Sequence, residues 1–211
     1  MRGHRILAAL YDRMLRGSER AGLRDMRAEL LAGARGRTLE LGAGTGLNLA
    51  HYTDAVTELV LTEPDPHMAR RLRKRLDDEP PAPARVEVVQ APAERLPFED
   101  GSFDSVVSTL VLCSVESPGA AAGEIARVLK PGGRFLCLEH VRDPDGDGVV
   151  RWQDRLERPW GWVAGGCHPN RDTVAELQAA GLQTADLVRD RLPKAPPIVR
   201  PMVRGSARPS S

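Results

Sequence analysis

The sequence predicts an α/β fold, a doubly wound, mostly parallel sheet of seven strands with helices on both faces. Three observations carry this expectation. Short β-like runs alternate with helical or turn-rich stretches, as βαβ crossovers require. The first run passes straight into a glycine-rich turn, Gly42-Ala43-Gly44-Thr45-Gly46, where such sheets bind ligands. The chain has 211 residues, enough for one domain with a full core.

Taken in order, Ile6, Leu10 and Met14, then Leu23, Met26 and Leu30, recur at helical spacing, with a break expected at Gly17-Ser18. Strands are expected at 37–41, 58–62, 85–90, 105–110 and 134–139. A helix over 120–129 should stop at Lys130-Pro131-Gly132-Gly133, because proline cannot continue it and glycine supplies the turn. A Gly/Asp loop over 143–148 follows, then a helix over 149–162 holding all three tryptophans (Trp152, Trp160, Trp162) and a helix over 172–180. Final strands are expected near 182–188 and 198–203. The chain thus divides into an N-terminal helical cap over 1–35, a ligand-binding core over 36–141, covering helices and last strands over 142–204, and a frayed tail over 205–211.

Composition narrows the function. Thirty Lys and Arg against 29 Asp and Glu leave +1, with the signs interleaved, so no field for gripping nucleic acid exists. The basic stretch Arg70-Arg71-Leu72-Arg73-Lys74-Arg75 is followed by Asp77-Asp78-Glu79 and reads as a solvated helix face rather than a polyanion patch. The longest apolar run, 106–115, is too short to span a bilayer, and the run 6–10 is cut off by Asp12 and Arg13, unlike a signal peptide. Cys113, Cys137 and Cys167, odd in number and widely spaced, fit a reducing compartment. A cytoplasmic monomer or homodimer without stable membrane insertion is expected.

The chemistry starts at the first strand's end. A dinucleotide fingerprint would place its third glycine at position 47, which is leucine, and would not place an acid before the first glycine, where Glu40 stands. Glu63 ends the second strand within the roughly 20-residue interval at which an acid reads ribose hydroxyls. Together these describe a nucleoside carrying positive charge rather than a pyrophosphate.

The motifs LELGAGTG, LTEPD, APAERLPFEDGSFD, STLVLCSV and RVLKPGGRFLCLEHV, in that order, resemble the class I S-adenosylmethionine-dependent methyltransferases with their Rossmann-like fold, over roughly residues 5 to 190. The resemblance implies that Glu40 and the loop Gly42, Ala43, Gly44 and Gly46 cradle the methionine part of the cofactor. It implies that Glu63 binds both ribose hydroxyls beside Pro64, that Met68 packs near adenine, and that Ala93 and Glu94 line the adenine edge. Thr109 and Leu110 should face the methionine part. The family often has aspartate where Pro92 stands, so backbone groups would take over that contact. Tyr11 resembles a lid tyrosine, and a core tyrosine is the other reading. More narrowly, TLVLCSV, LEHVR and GGCHPNRDT resemble the branch of animal thiol S-methyltransferases and their bacterial relatives, without their hydrophobic N-terminal anchor.

Methyl transfer from a sulfonium is an in-line displacement whose leaving group departs neutral, so the protein supplies alignment and, for a protonated acceptor, a base. His140, expected at the end of the fifth strand, is the candidate base, or else a histidine hydrogen-bonded in a strand-end turn. Cys113, Trp152, Cys167 and His168 are candidates for the acceptor's wall. For His168 a loop-capping role competes, and for Cys113 a small buried apolar role. Cys137-x-x-His140 with Cys167-His168 invites a zinc reading, which a pair straddling a strand does not favour, so no metal is expected. The acceptor implied is a small molecule, a thiol first. Alternatives are an alcohol or amine of a natural product, a phospholipid head group, or a non-catalytic protein that binds the cofactor.

Overall fold

The computed structural model describes residues 5–143 and 148–210, with side chains of the first helix from Ala8 onward. Most of the expected 143–148 loop, the side chain of Ile6 and Ser211 lie outside the described residues. The chain forms α1 (Arg5–Ser18), α2 (Arg24–Leu31), β1 (Gly36–Leu41), β2 (Val56–Thr62), α3 (Pro66–Asp78), β3 (Val86–Val89), β4 (Phe103–Thr109) and α4 (Pro118–Val128). Then come β5 (Leu129–His140), α5 (Val149–Val163), α6 (Thr173–Ala179), β6 (Leu182–Gln183), β7 (Leu187–Arg191) and β8 (Pro201–Pro209). The sheet order is β3-β2-β1-β4-β5-β8-β6, with β7 also paired to β8. Strands β1 to β5 are parallel, and β8 runs antiparallel to β5, β6 and β7.

Side-chain alternation explains the two cores. Leu59, Leu61, Leu136 and Leu138 point to one face, where they pack with Leu30 and Leu31 of α2. Val60, Phe135 and Cys137, one position away, point to the other face with Ile125 of α4 and Leu177 of α6. Proline and a capping side chain start the helices after β2 and β4. Asp65 accepts from the His67 and Met68 amides at 2.7 and 3.2 Å, and Ser117 accepts from Ala120 at 3.3 Å. Arg70, Arg71, Arg73 and Lys74 are exposed on α3, while Leu72 is fully buried.

Four expectations need correction. The break between the first helices falls at Gly22 (φ 125°), not at Gly17-Ser18. Gly17 continues the helix at modest cost, whereas the bend at Gly22 delivers fully buried Leu23 to the core. The sheet has eight strands, because the strand expected at 182–188 is split into β6 and β7. Between them Asp186 presses on Gly205 of β8, where a Cβ would lie 2.4 Å from the Asp186 carbonyl and φ is 138°. Eight strands thus occupy seven positions. The last strand starts at Pro201, after a single tight turn over Pro197–Val199. The tail expected from Gly205 is strand as far as Pro209, with Ala207 buried opposite Phe135. No helix among the described residues is long and apolar enough to cross a membrane.

Candidate functional site

The carboxyl ends of β1, β2, β4 and β5 open into a cavity of about 310 Å3. Gly42 and Gly44 form its floor, and Glu63, Pro64, Met68, Ala93 and Glu94 line one side. A Cβ on Gly42, at φ 53°, would sit 2.8 Å from the Val111 side chain, so the turn admits only glycine there. A Cβ on Gly44 would meet nothing nearer than the Gly42 carbonyl at 3.8 Å, which leaves that backbone open to a ligand. Gly46 is packed behind the loop against Leu49 and Leu72 and does not line the cavity. The Gly44 and Asp65 amides each donate to the Glu63 carboxylate at 2.8 Å. Burial raises the Glu63 pKa, and those two amides oppose the rise.

A recess of about 20 Å3 adjoins the loop and is lined by Tyr11, Ala43, Thr109 and Arg27, among others. Arg27 is a residue that sequence reasoning missed. Its guanidinium is buried and donates to Asn48 and Thr109 at 2.9 Å each, and to Glu19 at 3.0 Å. Asn48 passes the network on to Glu40 at 2.9 Å, and Tyr52 donates to the other Glu40 oxygen at 2.7 Å. Burial pushes Glu40 up to about 7 despite those donors. Glu40 lines this recess with Arg27 rather than the large cavity, and it positions Asn48 and Tyr52. An arginine at spacing 23, 27, 30 on an otherwise apolar helix stripe was the only available signal.

Tyr11 lines both spaces, and burial pushes its hydroxyl up to about 12. Helix α1 is fastened above the glycine loop by Asp12, which accepts from Thr45 and from Arg75 of α3.

At the far end lie Leu110, Val111, Cys113, Val115, His140, Trp160 and Cys167. Leu110 stands at φ 59°, and its backbone N–H donates a hydrogen bond to the Leu138 carbonyl at 2.9 Å. The next two amides, of Val111 and Leu112, donate to buried Glu139 at 3.0 and 3.2 Å, and Ser108 donates to it at 2.6 Å. Burial pushes Glu139 up to about 7. His140 is 5% exposed and its Nε2 lies 3.0 Å from Cys167 Sγ. Burial, the largest single effect, opposes the charged ring, but the charge and hydrogen bond of neighbouring Cys113 together with Glu139 outweigh it and raise its pKa. Hydrogen bonding from Cys167 lowers Cys113 well below the usual thiol value.

The structure does not bring Trp152 or His168 to the cavity. Trp152 is 55% exposed, with the Arg155 guanidinium 5.9 Å from its ring. The inward stripe of α5 is Gln153, Leu156 and Trp160, because Gln153 satisfies its buried amide on the Val141, Pro169 and Ile198 carbonyls. His168 pairs through Nδ1 with Glu157 at 2.9 Å, and its amide clamps the loop to the Cys113 carbonyl at 2.8 Å.

Residues 39–137 match the family model described as a methyltransferase domain. The human thiol S-methyltransferase TMT1B is 37% identical over 183 residues, covering 84% of this chain and 73% of that protein. The chain belongs to the S-adenosylmethionine-dependent methyltransferases. The human thiol S-methyltransferase TMT1A is 32% identical over 169 residues, covering 80% of the methyltransferase and 69% of TMT1A. In fold, the methyltransferase resembles a possible histamine N-methyltransferase from Thermotoga maritima, with a TM-score of 0.67 and 21% identity over 96% of this chain and 94% of that one. The residues present fit the cofactor. Gly44 leaves its backbone open, and the Glu63 carboxylate borders the same cavity.

Proposed function

We propose that the acceptor of this methyltransferase is a small, partly apolar thiol, methylated on sulfur. The observation that carries this reading is the cavity's far wall. Beyond the residues suited to the cofactor it is mostly apolar, from Leu110, Val111 and Val115 to Leu192 and Val199, and it ends on His140. The named activity of the 37% identical human relative supports the same choice.

Glu63 would hold the ribose, Met68 and Ala93 the adenine, and Arg27, at the back of the small recess, the charged amino-acid end. Bound there, S-adenosylmethionine supplies an electrophilic methyl group whose leaving sulfur departs neutral. The chain itself supplies alignment and exclusion of water, through Tyr11 above the loop and Trp160 at the far side. His140 Nε2 is the atom placed to take the acceptor's proton. Because its pKa is raised, a neutral ring is formed only above its ordinary value of about 6.5. kcat/KM should therefore climb as pH rises through that raised value.

Mass spectrometry of products from a panel of thiols, phenols and amines tests the proposal. Methylated thiols are the expected result, and methylation confined to phenols or amines overturns it. With His140→Ala the rate at neutral pH should drop about 100-fold or more. Full activity in that variant would remove His140 as the base.

A further inference from the structure

Three soft ligands converge at the acceptor end of the cavity. Cys113 Sγ, a ring nitrogen of His140 and Cys167 Sγ all lie within 4.8 Å of one another, and all three residues are buried. They come from the turn after β4, the end of β5 and the loop after α5. The His168 amide on the Cys113 carbonyl and the Arg171 guanidinium on the Leu112 carbonyl, both at 2.8 Å, tie that loop to the turn. Tetrahedral zinc with two sulfurs and one nitrogen would hold these atoms about 3.6–3.8 Å apart. The 3.0 Å contact between His140 and Cys167 would open slightly, within a cluster no more than 4.8 Å across. His140 turns its Nε2 toward the two thiols, 3.0 Å from Cys167 Sγ, while its buried Nδ1 has no hydrogen-bond partner in the protein. Trp160 Nε1 donates to Cys167 Sγ at 3.2 Å, the kind of outer bond that orients a thiolate ligand. The pair Cys137 and His140 that the sequence offered does not form, because an interval of three along β5 places them on opposite faces.

The geometry points to a zinc(II) site made by Cys113, His140 and Cys167, with its fourth position open to the cavity for the thiolate of the acceptor. This rests on the thiol reading above. Two protein thiolates and a neutral imidazole cancel the metal's charge, and Arg171 and the cofactor's sulfonium offset the acceptor thiolate. With zinc bound, His140 serves as a ligand in place of the base role given it above, and the thiol protons of Cys113, Cys167 and the acceptor go to solvent. A lone pair of the acceptor sulfur then forms the new S–C bond. The old C–S bond breaks with its electron pair retained by the departing sulfur, and the metal's oxidation state does not change. The thioether product is a weaker ligand than a thiolate and leaves.

The test strips the whole protein with a chelator and titrates it with ZnCl2 and, separately, CoCl2. About one equivalent should bind, and cobalt should give the near-ultraviolet absorption of thiolate-to-cobalt charge transfer. Added thiophenol should shift that absorption. The variant Cys113→Ser/Cys167→Ser should lose it while still binding S-adenosylmethionine. If that variant does not fold, Trp160→Phe serves, with zinc affinity expected to fall about tenfold. Failure of the wild type to bind cobalt, or recovery of the native protein with a Cys113–Cys167 disulfide, overturns the site. Stripped protein that methylates thiols at full rate also overturns it and leaves the thiol reading standing. Cobalt bound normally, with thiophenol without effect and only phenols or amines methylated, overturns the thiol reading and the open position together.

Discussion

Glu63 carries the most direct test of the cofactor cleft. A ribose would have to join or displace the Gly44 and Asp65 amides that the carboxylate now accepts. Glu63→Ala should weaken S-adenosylmethionine binding by about 1–3 kcal/mol in calorimetry, and unchanged affinity would put the ribose elsewhere. Glu40 offers a test in pH. Its folded value of about 7 stands above the roughly 4.3 of an unfolded chain, so its stabilising effect is complete below about pH 4 and lost as pH rises towards 7. Glu40→Gln keeps an acceptor for Asn48, and the Tyr52 hydroxyl is free to turn and accept instead. In urea melts the variant should therefore gain on the wild type between pH 5 and pH 8, by about 1–3 kcal/mol. A constant difference would show that Glu40 is ionised throughout. Glu63 was legible in the sequence because an acid at a strand end has a recognisable interval from the glycine loop. Arg27 was not, because a buried cation looks like any exposed one until its partners Asn48 and Thr109, far away in the chain, come into place.

Helix α1 is held on the cleft mainly by polar contacts. Leu10 and Met14 are 45% and 56% exposed, whereas Asp12 reaches both Thr45 in the glycine loop and Arg75 in α3. Asp12→Ala should speed cofactor release up to about tenfold in stopped-flow measurements, with the thermal midpoint nearly unchanged. A large loss of thermal stability instead would make α1 part of the core rather than a cover. Helix α5 teaches how far periodicity reaches. Its extent was readable from the sequence almost to the residue, but its orientation was not. Trp152 and Trp160 are both apolar and eight positions apart, and only the three carbonyls awaiting Gln153 decide which side faces inward. Hydropathy counts a glutamine as outward, while an amide that finds all its partners is at home inside.

For the whole molecule, the parallel half of the sheet followed from alternation alone, and the antiparallel end did not. Strands β1 to β5 are apolar runs separated by helices or turns, each readable locally. β8 carries Arg204, Gly205, Ser206, Arg208 and Pro209, a composition typical of a tail, and only pairing with β5 makes it a strand. Ending the chain at Arg204 removes Gly205, Ser206 and Ala207 from Cys137, Leu136 and Phe135. Such a chain should lose at least about 3 kcal/mol, or its cooperative melt altogether, as read by circular dichroism. An unaltered melt would restore the frayed tail. The position of β8 also sets an order of events. A chain growing from its amino end completes β1 to β5 in succession, then makes β6 and β7 before the partner of either exists. β7 must wait for residues 201–205 and β6 for residues 208–209 to clear the ribosome, and the β5 edge stays open until residues 202–207 do. A ribosome that stalls shortly before that point would therefore hold a chain with its cofactor cleft nearly complete and two adhesive edges exposed, the form most in need of a chaperone.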